Sequence, residues 1–342
     1  MSWAATLMFA EAAEAADVIA RQLTANRDAV AAIGARLRRD PPPVVVTCAR
    51  GSSDHAATYL KHLVEARAGV LVASASPSIA SVYHQAPIAR AMLAIGLSQS
   101  GASPDLLATL RAAAQVGART LALVNVEDSP LARLADAVLP LHAGAERSVA
   151  ATKSFLATMT AAAALVAAWT QDAVLAAALD ALPDGLRAAW ASDWSPLVEA
   201  LADARGLYVI GRGPGFGAAQ EIALKLKETC GLHAEAFSAA EVRHGPMALI
   251  GPGFPLLVIR QEDEAAPATD ALVEDMVAQG APVLVAGRPA RGATALPLPP
   301  ADPRTAPILA VQAFYRAADA LSLRRGHDPD RPPLLRKVTE TV

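Results

Sequence analysis

The chain repeats itself at a fixed offset, and that repeat limits the folds open to it. Val44-Val45-Val46-Thr47-Cys48-Ala49-Arg50-Gly51 runs into Ala56-Ala57-Thr58-Tyr59-Leu60. Leu207-Tyr208-Val209-Ile210-Gly211-Arg212-Gly213 runs into Ala218-Ala219-Gln220-Glu221-Ile222 in the same way, with Gly211 in the place of Ala49. A second pair agrees. Gly117-Ala118 precedes the apolar run from Leu121 to Val124, and Gly280-Ala281 precedes Val283-Leu284-Val285 at almost the same offset. Each half reads strand, Gly-rich turn, helix, strand, turn, helix, strand. Short apolar runs alternating with helical stretches imply a parallel sheet covered on both faces. Ligands of such sheets sit beyond the carboxyl ends of the strands. With 342 residues, the expectation is an α/β chain of two tandem domains, each a parallel sheet flanked by helices. The boundaries expected are an N-terminal helical segment at 1–35, a first domain at 36–170, a helical linker at 171–200 and a second domain at 201–342. Residues 8 to 38 read as a leading helix, and Pro183-Asp184-Gly185 reads as a break in the linker.

One strand-to-helix turn carries chemistry. Ser98-Gln99-Ser100-Gly101-Ala102-Ser103-Pro104-Asp105 follows the apolar run from Met92 to Leu97 and precedes Leu106-Leu107-Ala108. Ser103 suits the N-cap, Pro104 the first helical position and Asp105 the first turn. Three hydroxyls and free backbone N–H groups then converge where a helix dipole also favours negative charge. The turn has no Lys or Arg, so the anion expected there is held by neutral donors, which suits a phosphate monoester that must be released. The bland alternative is a serine-rich turn that only caps its helix. The corresponding turn of the second half, Arg260-Gln261-Glu262-Asp263-Glu264, is acidic and would repel phosphate. Only the first half is therefore expected to bind one. Gly211-Arg212-Gly213-Pro214-Gly215-Phe216-Gly217 is not a dinucleotide fingerprint, because Phe216 stands where the third glycine is needed. It reads as a close-packing or sugar-binding loop.

Composition narrows the function classes. Hydrophobic residues make up 53% and charged residues 18%, with a formal net charge of -3. There is no basic run, which argues against nucleic acid as a partner. Cys48 and Cys230 are too few for a disulfide framework or a structural zinc site. No basic n-region precedes an apolar core at the N-terminus, and Phe155 to Trp169 is shorter than a bilayer span and carries Thr158 and Thr160. A cytosolic chain with no membrane partner is expected, with Phe155 to Trp169 as a core helix.

The second half offers acid–base groups. Glu221, Lys225 and Glu228 fall at i, i+4 and i+7 of a helix from Ala218 to Thr229 and share one face. The rest of that helix is apolar, so this stripe must meet water, a partner or a cleft. In a cleft, a carboxylate beside a lysine is a plausible general base; on the surface it is a solvated stripe. His244 precedes Gly245-Pro246 at an element end, where an imidazole can be exposed and can shuttle a ring proton. His233 reads as a structural histidine. No H-x-x-x-H or H-E-x-x-H spacing occurs, so no metal and no cofactor is expected. The terminal Arg336-Lys337-Val338-Thr339-Glu340-Thr341-Val342 reads either as a frayed end or as a tail that folds over a site and offers Lys337.

Taken together, Gly51-Ser52-Ser53, Ser98-Gln99-Ser100-Gly101, Val149-Ala150-Ala151-Thr152-Lys153, Ala223-Leu224-Lys225-Leu226-Lys227-Glu228, His233-Ala234-Glu235, His244-Gly245-Pro246 and Lys337 resemble the sugar isomerase (SIS) domain family in its tandem form. Within it the chain is similar to the isomerase half of glucosamine-6-phosphate synthase and to stand-alone glucosamine-6-phosphate deaminases. The resemblance implies two flavodoxin- or Rossmann-like three-layer domains. It implies that Gly51, Ser52, Ser53, Ser98, Gln99, Ser100, Ser103 and Ala150 line the sugar-phosphate site. It further implies that Glu228 moves a proton between C1 and C2, that Lys225 positions Glu228, that His244 assists ring opening across a homodimer interface, and that Lys337 lies near the open-chain carbonyl. Ala102 and Ala151 depart from the synthase, which has an acidic residue and a serine there. The form Ser-Gly-x-Ser-Pro-Asp resembles the deaminases instead. The implied reaction is glucosamine 6-phosphate to fructose 6-phosphate and ammonia. The alternatives are a fructosamine-6-phosphate deglycase, a phosphosugar isomerase that releases no ammonia, and a non-catalytic sugar-phosphate sensor.

Overall fold

Ten short apolar segments among the described residues become strands because their flanking Gly and Pro residues stop them after three to six residues, too short for helices of the same composition. The structure, a computed structural model, describes residues 6–86 and 91–337. The first sheet contains β1 (Val44–Cys48), β2 (Leu71–Ser74), β3 (Leu93–Ser98), β4 (Arg119–Val124) and β5 (Ala137–Pro140) in the order β2-β1-β3-β4-β5. The second contains β6 (Gly206–Gly211), β7 (His233–Ser238), β8 (Leu256–Ile259), β9 (Val283–Ala286) and β10 (Thr294–Leu296) in the order β10-β9-β8-β6-β7. Read from β7, that is the first sheet's order again. Every pairing among the described residues is parallel. β6 follows β1 at the same offset as Gly211 follows Ala49, so the sequence repeat is a repeat of strands.

The chain divides into two units, neither continuous in sequence. The first-sheet unit takes Asp17–Glu146 and Lys153–Asp180, and receives the chain end from Arg336. The second-sheet unit takes Ala181–Leu335 together with the N-terminal stretch up to Ala16 and the segment Arg147–Thr152. In the first-sheet unit, β3 is buried along its whole length, as expected of a central parallel strand. The helix Lys153–Thr170 packs against the helices Ser52–Ala68 and Arg27–Arg39 and is buried around most of its circumference. This is the core helix expected from Phe155 to Trp169. No helix among the described residues is long and apolar enough to cross a membrane. In the second-sheet unit, Tyr208 packs edge-on between Phe237 and Phe254 over a core of Ile210, Val258, Val285, Leu272 and Met276. The helix Ala306–Arg324 packs on the helix Gly215–Cys230. Arg325 then donates to the carbonyls of Leu201, Ala202, Ala204 and Cys230, satisfying acceptors left over at helix ends.

One expectation is corrected and one is sharpened. The leading helix is three helices, Leu7–Ala13, Ala15–Ala25 and Arg27–Arg39. The breaks fall at Glu14 and at Asn26, and at Asn26 the side-chain amide turns onto the Pro140 carbonyl at 2.7 Å. The linker does break here, at Ala181 between the helices Ala173–Asp180 and Leu182–Ala191, and Pro183 sits in the first turn of the second, where no N–H partner is needed.

The approach of two helices inside the first-sheet unit yields a test. A Cβ on Gly34 would stand 2.7 Å from the backbone carbon of Ala168. Alanine gains about 1 kcal/mol of helix propensity over glycine, but overpacking costs about 1–3 kcal/mol. Gly34→Ala is therefore expected to lower the urea midpoint, and a raised midpoint would contradict the contact.

Candidate active site

In a parallel sheet of order β2-β1-β3-β4-β5, the crossovers leave β1 and β3 in opposite directions, and a crevice opens at their carboxyl ends. Cys48 at the end of β1 is in register with Gly96 of β3, so Arg50-Gly51 and Ser98 stand level at that opening. The helix Ser52–Ala68 starts on one side, carrying Ser52 and Ser53, both half-buried, in its first turn. The helix Pro104–Gln115 starts on the other. Between them the turn folds on itself. Ser98 Oγ accepts from Gly101 N–H at 3.0 Å, and Ser100 Oγ accepts from Ala102 N–H at 3.4 Å. Each hydroxyl keeps its own hydrogen to donate, but Ser98 is buried while Ser100 is half-buried. Gly101 has φ of +63°, and a Cβ there would stand 2.2 Å from Ser129 Oγ, so the turn requires glycine. Ser103 occupies the N-cap position before Pro104, but its hydroxyl makes no capping bond. Gln99, Ser100 and Ser103 are half-buried and Gly51 is exposed, so all four remain open to a ligand.

The turn's surroundings are not neutral, contrary to the expectation from its own residues. Asp105 is fully buried, and Arg50 Nε and Nη2 both donate to its Oδ2, at 2.9 and 2.8 Å. Asp54 lies in the first turn of Ser52–Ala68, and burial raises its carboxyl against the pull of His55 and Arg50. Cys48 lies beneath, and burial pushes its thiol up to about 12, while Cys230 is pushed up to about 11. Neither thiol is a nucleophile at neutral pH.

The second sheet has the same crevice between β6 and β8, but it is plugged. Gln261 Nε2 donates to the Arg212 carbonyl at 3.0 Å, and a Cβ on Gly215 would meet Gln261 Oε1 at 2.4 Å. Arg260 is pinned by Asp270 and Glu262. Gly215 thus serves close packing, while Gly213 has a φ of +53° and open space around it.

The same unit holds the acid–base row. Glu221, Lys225 and Glu228 lie on the helix Gly215–Cys230, and the first two are buried, so the row is not a solvated stripe. Lys225 Nζ lies 3.2 Å from Glu221 Oε1 and 2.6 Å from Glu228 Oε2. Tyr315, on the neighbouring helix, donates to Glu221 Oε1 at 3.1 Å. Burial by itself lowers Lys225, but the two carboxylates outweigh it and hold the ammonium above the ordinary lysine value. Glu228 keeps 20% of its side chain exposed, and its Oε1 has no hydrogen bond to a described residue. That is a partly exposed carboxylate held through one oxygen.

The remaining candidates are placed as follows. His244 caps the short 3-10 turn Glu241–Arg243 through its backbone, and its ring is exposed. His233 is exposed on β7. Ala150 is buried in the segment Arg147–Thr152, whose Arg147 and Ser148 N–H groups donate to the Glu11 carboxylate at 2.5 and 3.1 Å. Lys337 is not a loose end. In the first-sheet unit it lies 3.6 Å from Glu146, a buried carboxylate that also accepts from Ser154 N–H and Oγ–H. Residues 338–342 of the tail lie outside the described residues. Sequence reasoning missed Glu11, Arg50 and Glu146. Among the described residues no group of three or more His, Cys, Asp or Glu is arranged to hold a metal ion.

Removing the buried cation has a readable consequence. Lys225→Met leaves Glu221 without its counter-charge, and breaking one side of a buried pair costs about 3–5 kcal/mol. The lysine's value is raised on folding, so its contribution is complete below 10.5 and disappears as pH rises through the higher folded value. Urea denaturation at neutral pH is expected to show the full loss, and the gap from wild type is expected to close only in strong alkali. A gap that closes near pH 8 would contradict the arrangement.

Comparison with known proteins agrees with this architecture. The SIS domain family matches residues 43–168 and 200–286. A crystal structure of a Silicibacter pomeroyi DSS-3 protein, provisionally named a phosphosugar isomerase, superposes with a TM-score of 0.91 at 39% identity, over 95% of this chain and 100% of that one. Glutamine–fructose-6-phosphate aminotransferase (isomerizing) of Aeropyrum pernix is 35% identical over 312 residues, which is 84% of this chain and 49% of that protein. The chain thus spans about half the length of the curated relatives it matches. Glucosamine-6-phosphate deaminase of Thermotoga maritima shares the fold, with a TM-score of 0.74 at 20% identity over 95% of this chain and 100% of that one. With two sheets of one strand order and the family matched across both, the chain belongs to the SIS domain family.

Proposed function

We propose that the chain is a phosphosugar-converting enzyme that turns glucosamine 6-phosphate and water into fructose 6-phosphate and ammonia. The observation that carries this reading is the Lys225–Glu228 pair: a carboxylate oriented by a buried ammonium, with its second oxygen open. Proton abstraction next to a carbonyl needs such a base. The Ser98–Ser103 turn, with Gly51, Ser52 and Ser53, supplies the donors for the phosphate. The ring-opening imidazole is His244, exposed and contributed by a second copy of the chain in a homodimer. Ala150 packs near the sugar, and Lys337 serves the open-chain carbonyl.

In this reading the pyranose opens to the 2-amino aldehyde. Glu228 takes the C2 proton while O1 is protonated, giving an enolamine. The proton returns to C1 as the nitrogen loses one, leaving a C2 imine. Water adds to C2 and ammonia departs, leaving the ketose. Charge develops on O1 during the first step, and Lys225 or Lys337 offers the positive charge to stabilise it. No redox step occurs, so the reaction needs no electron carrier.

The half-length match to the aminotransferase supports sugar-phosphate chemistry at C1 and C2 without choosing the direction. A substrate panel decides. Ammonia release is to be measured with glucosamine 6-phosphate, galactosamine 6-phosphate and a fructosamine 6-phosphate adduct, alongside ketose–aldose exchange of fructose 6-phosphate. Ammonia from an aminohexose phosphate is expected. Cleavage of the fructosamine adduct alone would make the enzyme a deglycase, exchange without ammonia would make it an isomerase, and binding without turnover would make it a sensor. Glu228→Gln is expected to lower kcat by about 10²–10⁴, the usual worth of a general base, while sugar-phosphate affinity stays within a few-fold. Lost affinity at unchanged kcat would reassign Glu228 to binding.

A further inference from the structure

We infer that Arg50 is a phosphate-binding residue of this site, presented to the ligand by the buried carboxylate of Asp105. The inference rests on the reading that the β1–β3 crevice takes a sugar phosphate. Three observations point to it. The first is placement. Arg50 lies just beyond the end of β1, level with Ser98 at the crevice, and its guanidinium reaches the first turn of the helix that begins after the Ser98–Ser103 turn. The second is the way it is held. Nε and Nη2 share one oxygen of Asp105, while the other oxygen accepts from Leu106 N–H at 2.8 Å. Nη1 makes no hydrogen bond to a described residue, and 51% of the Arg50 side chain is exposed. A guanidinium gripped along one edge offers its remaining N–H groups as a fixed fork, the geometry that suits phosphate oxygens. The third is the contrast with the duplicate. Arg212 stands at the equivalent position, offset from Arg50 as Gly211 is from Ala49, and has no ion pair among the described residues. Its crevice is filled by Gln261. At this position after the first strand of each sheet, the arginine is carboxylate-held beside the open crevice and not beside the plugged one.

The arrangement also settles a charge problem. A buried carboxylate within a turn of a phosphate cradle repels the ligand unless a cation lies between them. Arg50 cancels that repulsion and adds donors that neither serine nor backbone provides. Asp54 and His55 are the other charged or titratable groups on the adjoining helix turn, and they act on each other. Arg50 is in direct contact with Asp105, at 2.8 Å.

The test must separate direct contact from mere compensation of Asp105. Arg50→Met alone leaves a buried carboxylate without its cation. The informative comparison is therefore Asp105→Asn against Arg50→Met/Asp105→Asn, each checked for folding by thermal melting and titrated calorimetrically with fructose 6-phosphate and with inorganic phosphate. Removing one charge-assisted contact to phosphate is expected to weaken both ligands by about tenfold or more relative to Asp105→Asn. Arg50→Lys in the same background is expected to recover part of the loss. Equal affinities with and without Arg50 would overturn the inference, because arginine would then only neutralise Asp105. A loss seen with fructose 6-phosphate but not with inorganic phosphate would overturn it too. A wild-type protein that binds neither ligand would refute the sugar-phosphate reading itself.

Discussion

A lysine ammonium buried between two carboxylates on one helix face is the interaction on which the functional reading depends. An isolated ammonium in that position would lose its proton or unfold the helix, because burying one unpaired charge costs several kcal/mol. Glu221 and Glu228 prevent both outcomes, and Tyr315 binds Glu221 from the neighbouring helix. The result is a rigid row in which only the outermost carboxylate reaches solvent. Helical spacing sets the row, the packing of Ala306–Arg324 buries it, and burial turns a common i, i+4 pattern into a carboxylate held in one direction.

Duplication explains how one fold carries two kinds of site. Both sheets have the same strand order, so both generate a crevice between their first and third strands. In the first unit that crevice is edged by serines and Arg50 and stays open. In the second, Gln261 and the close approach at Gly215 fill it, and the buried charged row lies instead along the helix that follows. The equivalence of Ser98 and Arg260 marks this divergence. One ends its strand with a hydroxyl, the other with a guanidinium committed to two carboxylates.

Much of this is legible from residues alone, because it follows from local rules. Strand lengths, turn glycines, the proline at the first turn of Pro104–Gln115 and the phasing of Glu221, Lys225 and Glu228 are properties of short windows. What escapes depends on distant pairs. Arg50 and Asp105 are 55 residues apart, Glu11 grips backbone 136 residues away, and Glu146 meets Lys337 across most of the chain. A charged residue in a helix carries no local signal that its partner is a loop elsewhere. The leading helix reads too long for a related reason: its breaks at Glu14 and Asn26 fall at no proline or glycine of its own, and at Asn26 the side chain bonds Pro140, 114 residues away.

The central claim is that one carboxylate carries a proton from C2 to C1 of an aminosugar phosphate. The most direct measurement uses glucosamine 6-phosphate deuterated at C2 in ordinary water, with the fructose 6-phosphate formed examined by mass spectrometry and NMR. The account predicts ammonia equal to ketose formed and a measurable fraction of deuterium retained at C1. Ketose formed with no deuterium at C1, or formed with no ammonia, would contradict it.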